Sequence, residues 1–260
     1  MANSWGRSLM SEIIYGVHPV LAALRQRGNT LEEVIVAKGA AGQWLEEVRR
    51  LARQHQVRFR VSERAGLDRL CQTSRHQGIM ARVAAYRYLP EAELLDRIAV
   101  QPKSALVVVA DCLQDPMNLG NLMRSAHAVG AQGLVIPKHR AVGVTPAVAK
   151  AAAGAAAYLP VARVTNLSNF LKDCKAQGLW VVGAEAQAVQ SLYTADLTGP
   201  LTLVIGGEGS GIRPRVRREC DLLLAIPMAT PQLGSLNAAV AGAIFMFEIL
   251  RQRQQQSPQF

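Results

Sequence analysis

The sequence predicts an α/β protein in which a largely parallel sheet, covered by helices, follows a smaller α/β module. Three observations carry that prediction. Half of the 260 residues are hydrophobic and only 18% are charged, a globular composition with material for one large or two modest cores. Continuous Val/Leu/Ile runs recur from Ala105 onward, as in strands covered on both faces. Segments with the 3.6-residue apolar period of helices lie between strand-like runs.

Taken in order, "VHPVLAALRQR" and "QWLEEVRRLARQH" have helical periodicity, whereas "EEVIVAKG", "VRFRVS" and "GIMARVAAY" read as short strands. Ile13 to Tyr86 is therefore a small α/β domain. "YRYLPEAELLDRIAVQPKS", Tyr86 to Ser104, reads as a connector with a short helix and Pro at either end. The runs "ALVVVADC", "GLVIPK", "YLPVARV", "LWVVGAEA", "LTLVIGGE" and "LLLAIPM" then supply the parallel sheet.

Between the first two runs, Leu113 to Ala131 reads as a helix with Asp115 as its cap and Pro116 in its first position. At about 100° per residue, Leu119, Leu122, Met123, Ala126 and Val129 fill one apolar arc. Asn118, Asn121, Arg124 and Ser125 fall on the rest of the circumference, so the helix has a core face and a hydrogen-bonding face. The last helix starts near Ser235 and sets Leu236, Ala239, Val240, Ala243, Ile244 and Phe247 on one stripe, suited to close packing in the core or across a dimer. The tail "RQRQQQSPQF" is expected to be disordered.

The net charge of +10 is uneven: residues 1–90 hold 14 Lys+Arg against 7 Asp+Glu, and residues 91–260 hold 15 against 12. A basic module joined to a nearly neutral one implies a polyanion-binding part and a separate working part. Arg49, Arg50, Arg53, Arg58 and Arg60 cluster at one helix–strand junction, where phosphate contacts are expected. Cys71, Cys112, Cys174 and Cys220 form no C-x-x-C pair and are expected to be reduced, mostly buried thiols of a cytoplasmic protein. His18, His55, His76, His127 and His139 lack metal-ligand spacing, so no metal is expected. With no signal-like N-terminus and no apolar run of bilayer length, no membrane role is expected either.

Ligands of parallel α/β sheets collect at the carboxyl ends of the strands. Three such ends stand out: "DCLQDPMN", "LVIGGEGSGI" with four glycines around Glu208, and "AIPMATPQLGSLNAA", where strand, loop and helix meet at Ser235. "GGEGSG" does not fit G-x-G-x-x-G and lacks the Lys and Ser/Thr of a P-loop, which disfavours a dinucleotide or a nucleoside triphosphate. No G-x-S-x-G nucleophile elbow occurs.

"DPMNLGNLMRSA", "VIGGEGSGI" and "IPMATPQLGSLNAAVA", in that order and spacing, resemble the three signature motifs of the SpoU (TrmH-type) RNA 2'-O-ribose methyltransferases of the SPOUT superfamily. "IYGVHPVLAAL" and "HQGIMARV" are similar to the N-terminal domain of the branch that methylates guanosine in 23S rRNA. The resemblance implies an N-terminal RNA-binding domain of ribosomal-protein-like α/β fold over residues 1–88, a linker over 89–104, and a trefoil-knotted domain over 105–260. It further implies a homodimer, S-adenosylmethionine (S-adenosyl-L-methionine) as cofactor and an rRNA substrate. General topology rules alone give an unknotted doubly wound sheet. By motif, the cofactor falls on Gly206, Gly207, Ile226, Met228 and Leu236, and the catalytic set on Asn118, Arg124, Glu208, Ser235 and Asn237. Ala153 stands where relatives often carry Ser or Cys, and the loop "MATPQLGSLN" is a residue longer than many versions.

A ribose 2'-OH is a weak nucleophile that must lose a proton as it attacks, so the reaction needs alignment and stabilisation of the developing alkoxide. Arg124, a guanidinium that stays protonated, is expected to clamp phosphate and stabilise that charge. Glu208 is expected either to accept the proton or to fix the Gly-rich loop and Asn118, while Asn237 and Ser235 position the ribose or the cofactor carboxylate. A tRNA 2'-O-methyltransferase, a thiostrepton-type resistance rRNA methyltransferase and a non-catalytic RNA-binding or ribosome-assembly protein are the alternatives.

Overall fold

A computed structural model of the chain describes residues 12–27, 31–83, 86–230 and 234–256. The chain divides into two compact units, the first ending at Tyr86 and the second beginning at Arg87.

In the first unit, strands β1 (Glu12–Tyr15), β2 (Leu31–Ala37), β3 (Arg58–Ser62) and β4 (Ile79–Val83) form a sheet in the order β1-β4-β2-β3. β4 is antiparallel to both its neighbours, whereas β2 and β3 are parallel and need a crossover. Helix α2 (Gln43–Gln54) supplies it, burying Val48, Leu51 and Ala52 at helical spacing. Val20 and Leu24 of α1 (Val17–Arg27) join the same core, and Leu67 of α3 (Arg64–Cys71) packs with Ile35 and Met80 in a smaller one. The fully buried His76 fixes the turn into β4: its Nδ1 accepts the Gly78 N–H at 3.0 Å, which leaves Nε2–H to donate to Asp68 Oδ1 at 2.9 Å. Arg49 is paired with Glu46 and lies over the Phe59 ring, and Arg60 is paired with Glu33. Arg53 and Arg58 are exposed, the latter on the edge strand.

In the second unit, β5 (Leu106–Asp111), β6 (Gly133–Pro137), β7 (Val161–Val164), β8 (Trp180–Ala184), β9 (Gln190–Ser191), β10 (Leu201–Gly206) and β11 (Leu222–Ala225) form one parallel sheet. Their order is β7-β6-β5-β10-β8-β11-β9. The chain steps outward from β5 to β7, crosses to β8, and then inserts β10 between β5 and β8. The order reverses at β5, so β5 and β10 flank the switch point where such sheets open a crevice. All six residues of β5 are buried, as their continuous apolar run requires.

Residues 89–104 hold α4 (Glu91–Val100), whose Leu94 and Ile98 are fully buried with Phe170 and Leu171 of α7 (Leu167–Ala176). Burying each such side chain stabilises the unit by about 1.5–3 kcal/mol, which makes this segment part of the core as well as a connection.

Three expectations are corrected. Helix α9 (Ala238–Gln256) starts three residues after Ser235, because Asn237 Oδ1 caps it by accepting the N–H groups of Ala239 at 2.9 Å and Val240 at 3.3 Å. The stretch from Arg251 to Gln256, expected to be disordered, continues this helix. Arg251 pairs with Glu248, Gln252 bridges Ala195 and Leu197, and the Arg253 guanidinium donates to the carbonyls of Ser104, Ala105 and Gly199. Residues 257–260, and Pro231, Gln232 and Leu233 of the third motif, lie outside the described residues. Of the four cysteines, only Cys174 is buried and the others are half-buried. Burial pushes the Cys174 thiol up to about 12, which leaves it unreactive. Among the described residues no helix is long and apolar enough to cross a membrane, and no group of three His, Cys, Asp or Glu side chains could hold a metal ion.

Candidate active site

The ends of β5 and β10 are in register, Asp111 beside Gly206. Asp111 is fully buried, and its carboxylate accepts the Arg213 backbone N–H at 2.8 Å and the Arg213 Nε–H at 2.7 Å. The end of one strand is thereby tied to the residue before the short helix α8 (Pro214–Arg217), where the chain leaves the Gly-rich loop after the other.

Steric limits explain the glycines. A Cβ on Gly206 would meet the backbone of Gly211 and Ile212, and one on Gly207 would lie 2.6 Å from the Cys112 carbonyl oxygen. Gly207 and Gly211 exchange N–H···O bonds of 3.2 and 3.1 Å, which closes the loop. Gly209 and Gly211 sit at φ +76° and +64°, the left-handed region open to glycine. Glu208 is held at the exposed tip.

Helix α5 (Pro116–Ala128) follows β5, capped by Asp115 Oδ1, which accepts the Met117 N–H at 2.9 Å, with Pro116 first. Its polar side is not one open face. Asn118 is buried, Ser125 is half-buried, and Asn121 and Arg124 are exposed. Asn118 Nδ2 donates to Glu208 Oε1 at 2.6 Å, and Asn118 Oδ1 accepts from Asn237 Nδ2 at 2.9 Å. One chain of hydrogen bonds thus joins all three sequence motifs.

Partial burial raises the Glu208 carboxyl. The hydrogen bonds from the Asn118 amide and from the backbone of Glu208, Gln114 and Asp115 outweigh it and hold the group below its ordinary value of 4.5. Glu208 is therefore an ionised, well-donated carboxylate at neutral pH and a weak base there.

Beside this chain, a cavity of about 530 Å³ opens at the carboxyl ends of β8, β10 and β11. Gly206, Gly207, Ile226, Met228 and Leu236 all line it, together with Glu208, Ser235 and Asn237. Asn118 and Arg124 do not. Arg124 makes no ion pair or hydrogen bond with any described residue, six positions along α5 from Asn118. The sequence reading missed two walls of the cavity: Ala184 to Gln187, the last residue of β8 and the three that follow, and Ala241 and Phe245 of α9. The first had a signal, since "LWVVGAEA" is another parallel strand ending in small residues. The second had none beyond helical spacing from Asn237.

The SpoU rRNA methylase family matches residues 105–247, and a family described as RNA 2'-O ribose methyltransferase substrate binding matches residues 13–89. The 23S rRNA (guanosine-2'-O-)-methyltransferase RlmB of Haemophilus influenzae is 40% identical over 245 residues, 94% of this chain and 99% of that one. Its namesake from Shewanella oneidensis is 38% identical over 242 residues, 93% of this chain and 98% of that one. Among solved structures, the SpoU methyltransferase AviRb from Streptomyces viridochromogenes in complex with AdoMet superposes with TM-score 0.62 at 27% identity, covering 94% of this chain and 90% of that one. Matches over both units, with the three motifs joined at one sheet end, lead to one assignment: the chain belongs to the SpoU rRNA methylase family.

Proposed function

We propose that this protein transfers the methyl group of S-adenosylmethionine to the ribose 2'-oxygen of a guanosine in 23S-type rRNA. The observation that carries the reading is the joining of the three motifs through Asn118, Glu208 and Asn237 at the rim of one cavity. The residues fit the cofactor: about 530 Å³ lies within the range of small-molecule sites, and apolar Ile226, Leu236 and Phe245 adjoin the backbone groups of the Gly-rich loop. S-adenosylmethionine, bound there, supplies a methyl group already electrophilic on its sulfonium.

Gly206, Gly207, Ile226, Met228 and Leu236 would hold it. Ser235 and Asn237 stand where the α9 N-terminus begins and orient ribose or carboxylate groups. Asn118, fixed from both sides, holds the loop and α5 in register. Glu208, already ionised and hydrogen-bonded, acts as the orienting group rather than the proton acceptor, so the 2'-hydroxyl proton would pass to water at the open rim of the cavity as the methyl group is transferred and S-adenosylhomocysteine is left. Arg124, exposed and unpaired among the described residues, binds the substrate phosphate and stabilises charge developing on the 2'-oxygen.

The same reading includes the division into an RNA-binding domain (1–88), a connection (89–104) and a catalytic domain (105–260), working in the cytoplasm without a metal. The late insertion of β10 mid-sheet and the return of α9 onto β10, with Gly242 against Leu122 and Ile205, support a knotted C-terminal region. Val240 and Phe247, each about half exposed on α9, support a homodimer through that helix.

Incubating the protein with tritiated S-adenosylmethionine and an unmodified large-subunit rRNA transcript should place label in 2'-O-methylguanosine, and Arg124→Ala should abolish it while cofactor binding persists. Absence of label with the wild-type chain would overturn the reading.

A further inference from the structure

From Pro116 to Lys172 the chain contains no Asp or Glu, yet it carries Arg124, Lys138, Arg140, Lys150, Arg163 and Lys172. The catalytic unit, nearly neutral as a whole, therefore has a stretch of sequence without carboxylates, although in the fold Lys172 pairs with Glu219 and Glu91 lies near Lys138. Within it, His127 near the end of α5 stacks on Tyr158, with ring centroids 5.5 Å apart and planes 14° from parallel. Both residues are exposed, Tyr158 by 74%.

Helical spacing locates this pair relative to Arg124. Gly120, Arg124 and His127 lie at i, i+4 and i+7, a single stripe along α5. Gly120 presses on the next helix, α6 (Pro146–Ala151): a Cβ there would meet Ala151 and the Val148 carbonyl. At the far end of the stripe, His127 meets Tyr158. Arg124 lies between these two contacts, opposite the segment "AAAGAAA", Ala151 to Ala157, whose side chains are methyl groups or hydrogen. Lys150 is exposed immediately before it. The floor beside Arg124 is thus shallow, cationic at one side and aromatic at its end.

Such a surface matches one kind of occupant. A planar ring stacks on exposed aromatic faces regardless of sequence, and nucleic-acid-binding surfaces combine those faces with guanidinium and ammonium groups for the backbone. We propose that the His127–Tyr158 pair is a stacking shelf for an unpaired base of the substrate RNA, next to the nucleotide whose phosphate Arg124 holds. The inference rests on the RNA-methylating function proposed above. It assigns recognition of RNA to the catalytic unit as well as to the basic first unit. Arg124 and Lys150, the cations beside the shelf, are exposed and pair with no described carboxylate, which favours a polyanion over a protein surface as the partner.

The test uses the full chain and an unmodified large-subunit rRNA transcript, with affinity read by filter binding, cofactor binding by calorimetry and mass by sedimentation. Tyr158→Ala should weaken binding of the transcript roughly tenfold, the scale of one lost base stack, and His127→Ala should weaken it by less. Tyr158→Trp should restore affinity, since it keeps a stacking face while removing the phenol hydroxyl. Cofactor affinity and sedimenting mass should be unaltered in all three. Wild-type affinity in Tyr158→Ala, or no rescue by Trp, overturns the shelf. A halved mass in Tyr158→Ala also overturns it, showing that the pair faces a second chain. A wild-type chain that binds the transcript but methylates nothing sinks the catalytic reading alone, because the Tyr158→Ala affinity ratio still decides the shelf. A wild-type chain that does not bind the transcript overturns both.

Discussion

Asn118 and Glu208 are 90 positions apart in the chain and 2.6 Å apart in the fold, amide nitrogen to carboxylate oxygen. Because Glu208 can only accept, the Asn118 amide must turn its oxygen toward Asn237, and that amide must donate. Orientation therefore propagates from one ionised group through two neutral ones.

That chain sets a pH prediction. A carboxyl held below its ordinary 4.5 contributes stability that is present above 4.5 and lost as pH falls through its lower folded value. Wild-type methyl transfer should therefore show no acidic limb from Glu208 between about pH 5 and 8, a window above both values. Glu208→Gln should lower the rate without changing the shape of the profile there. An ascending limb that disappears in Glu208→Gln would assign the proton to Glu208.

Gly207 has no room for a side chain, and its obstruction is the backbone carbonyl of Cys112, itself in a left-handed turn at φ +63°. Gly207→Ala should destabilise the protein by about 1–3 kcal/mol in thermal unfolding and weaken S-adenosylmethionine binding in calorimetry.

Asp111 is fully buried and Arg213 about a third exposed. Asp111→Asn removes the charge and leaves Arg213 beside a neutral amide. It should cost about 2–4 kcal/mol, less than for two fully buried partners, with the larger effect on cofactor affinity because the Gly-rich loop is released. Denaturant unfolding and calorimetry on the same preparation separate the two effects.

Phe247 offers a test of association. A charged residue on an apolar interface faces desolvation it cannot offset, so Phe247→Glu should reduce the sedimenting mass from roughly twice 28.1 kDa to that of one chain.

The arginines of the first unit are not equivalent. Arg49 and Arg60 are engaged by Glu46 and Glu33, whereas Arg53 and Arg58 are exposed. Arg53→Gln and Arg58→Gln should each reduce the slope of log rRNA affinity against log salt by about one, while Arg49→Gln changes it less.

Periodicity and strand-end chemistry made the strands, α5 with its Asp-Pro start, and the cavity residues around Gly206 and Leu236 legible, because each is a local pattern. Long-range partners were not legible. Asn118 reads as exposed polar from helical spacing, and only Glu208 and Asn237, distant in sequence, make it buried. The tail from Arg251 reads as disordered because its Gln and Arg residues carry no apolar stripe. It is helical because those side chains reach carbonyls at Ala195, Gly199 and Ser104. Composition is blind to partners of that kind. Leu94 and Ile98 gave the opposite case, two apolar residues at i, i+4 that a pair of flanking prolines masked as a connector.

The grip of Arg253 on the carbonyls of Ser104, Ala105 and Gly199 has a consequence for biosynthesis. Arg253 leaves the ribosome about 150 residues after Ser104, yet it completes the bonding where the central strands β5 and β10 begin. A nascent chain that lacks α9 also lacks Phe245 and Ala241, and with them one wall of the cavity. The first unit can fold as soon as it emerges, whereas the catalytic unit must wait for its last helix. Nascent chains thus pass through an interval in which the first unit is complete but the cavity of the second still lacks a wall.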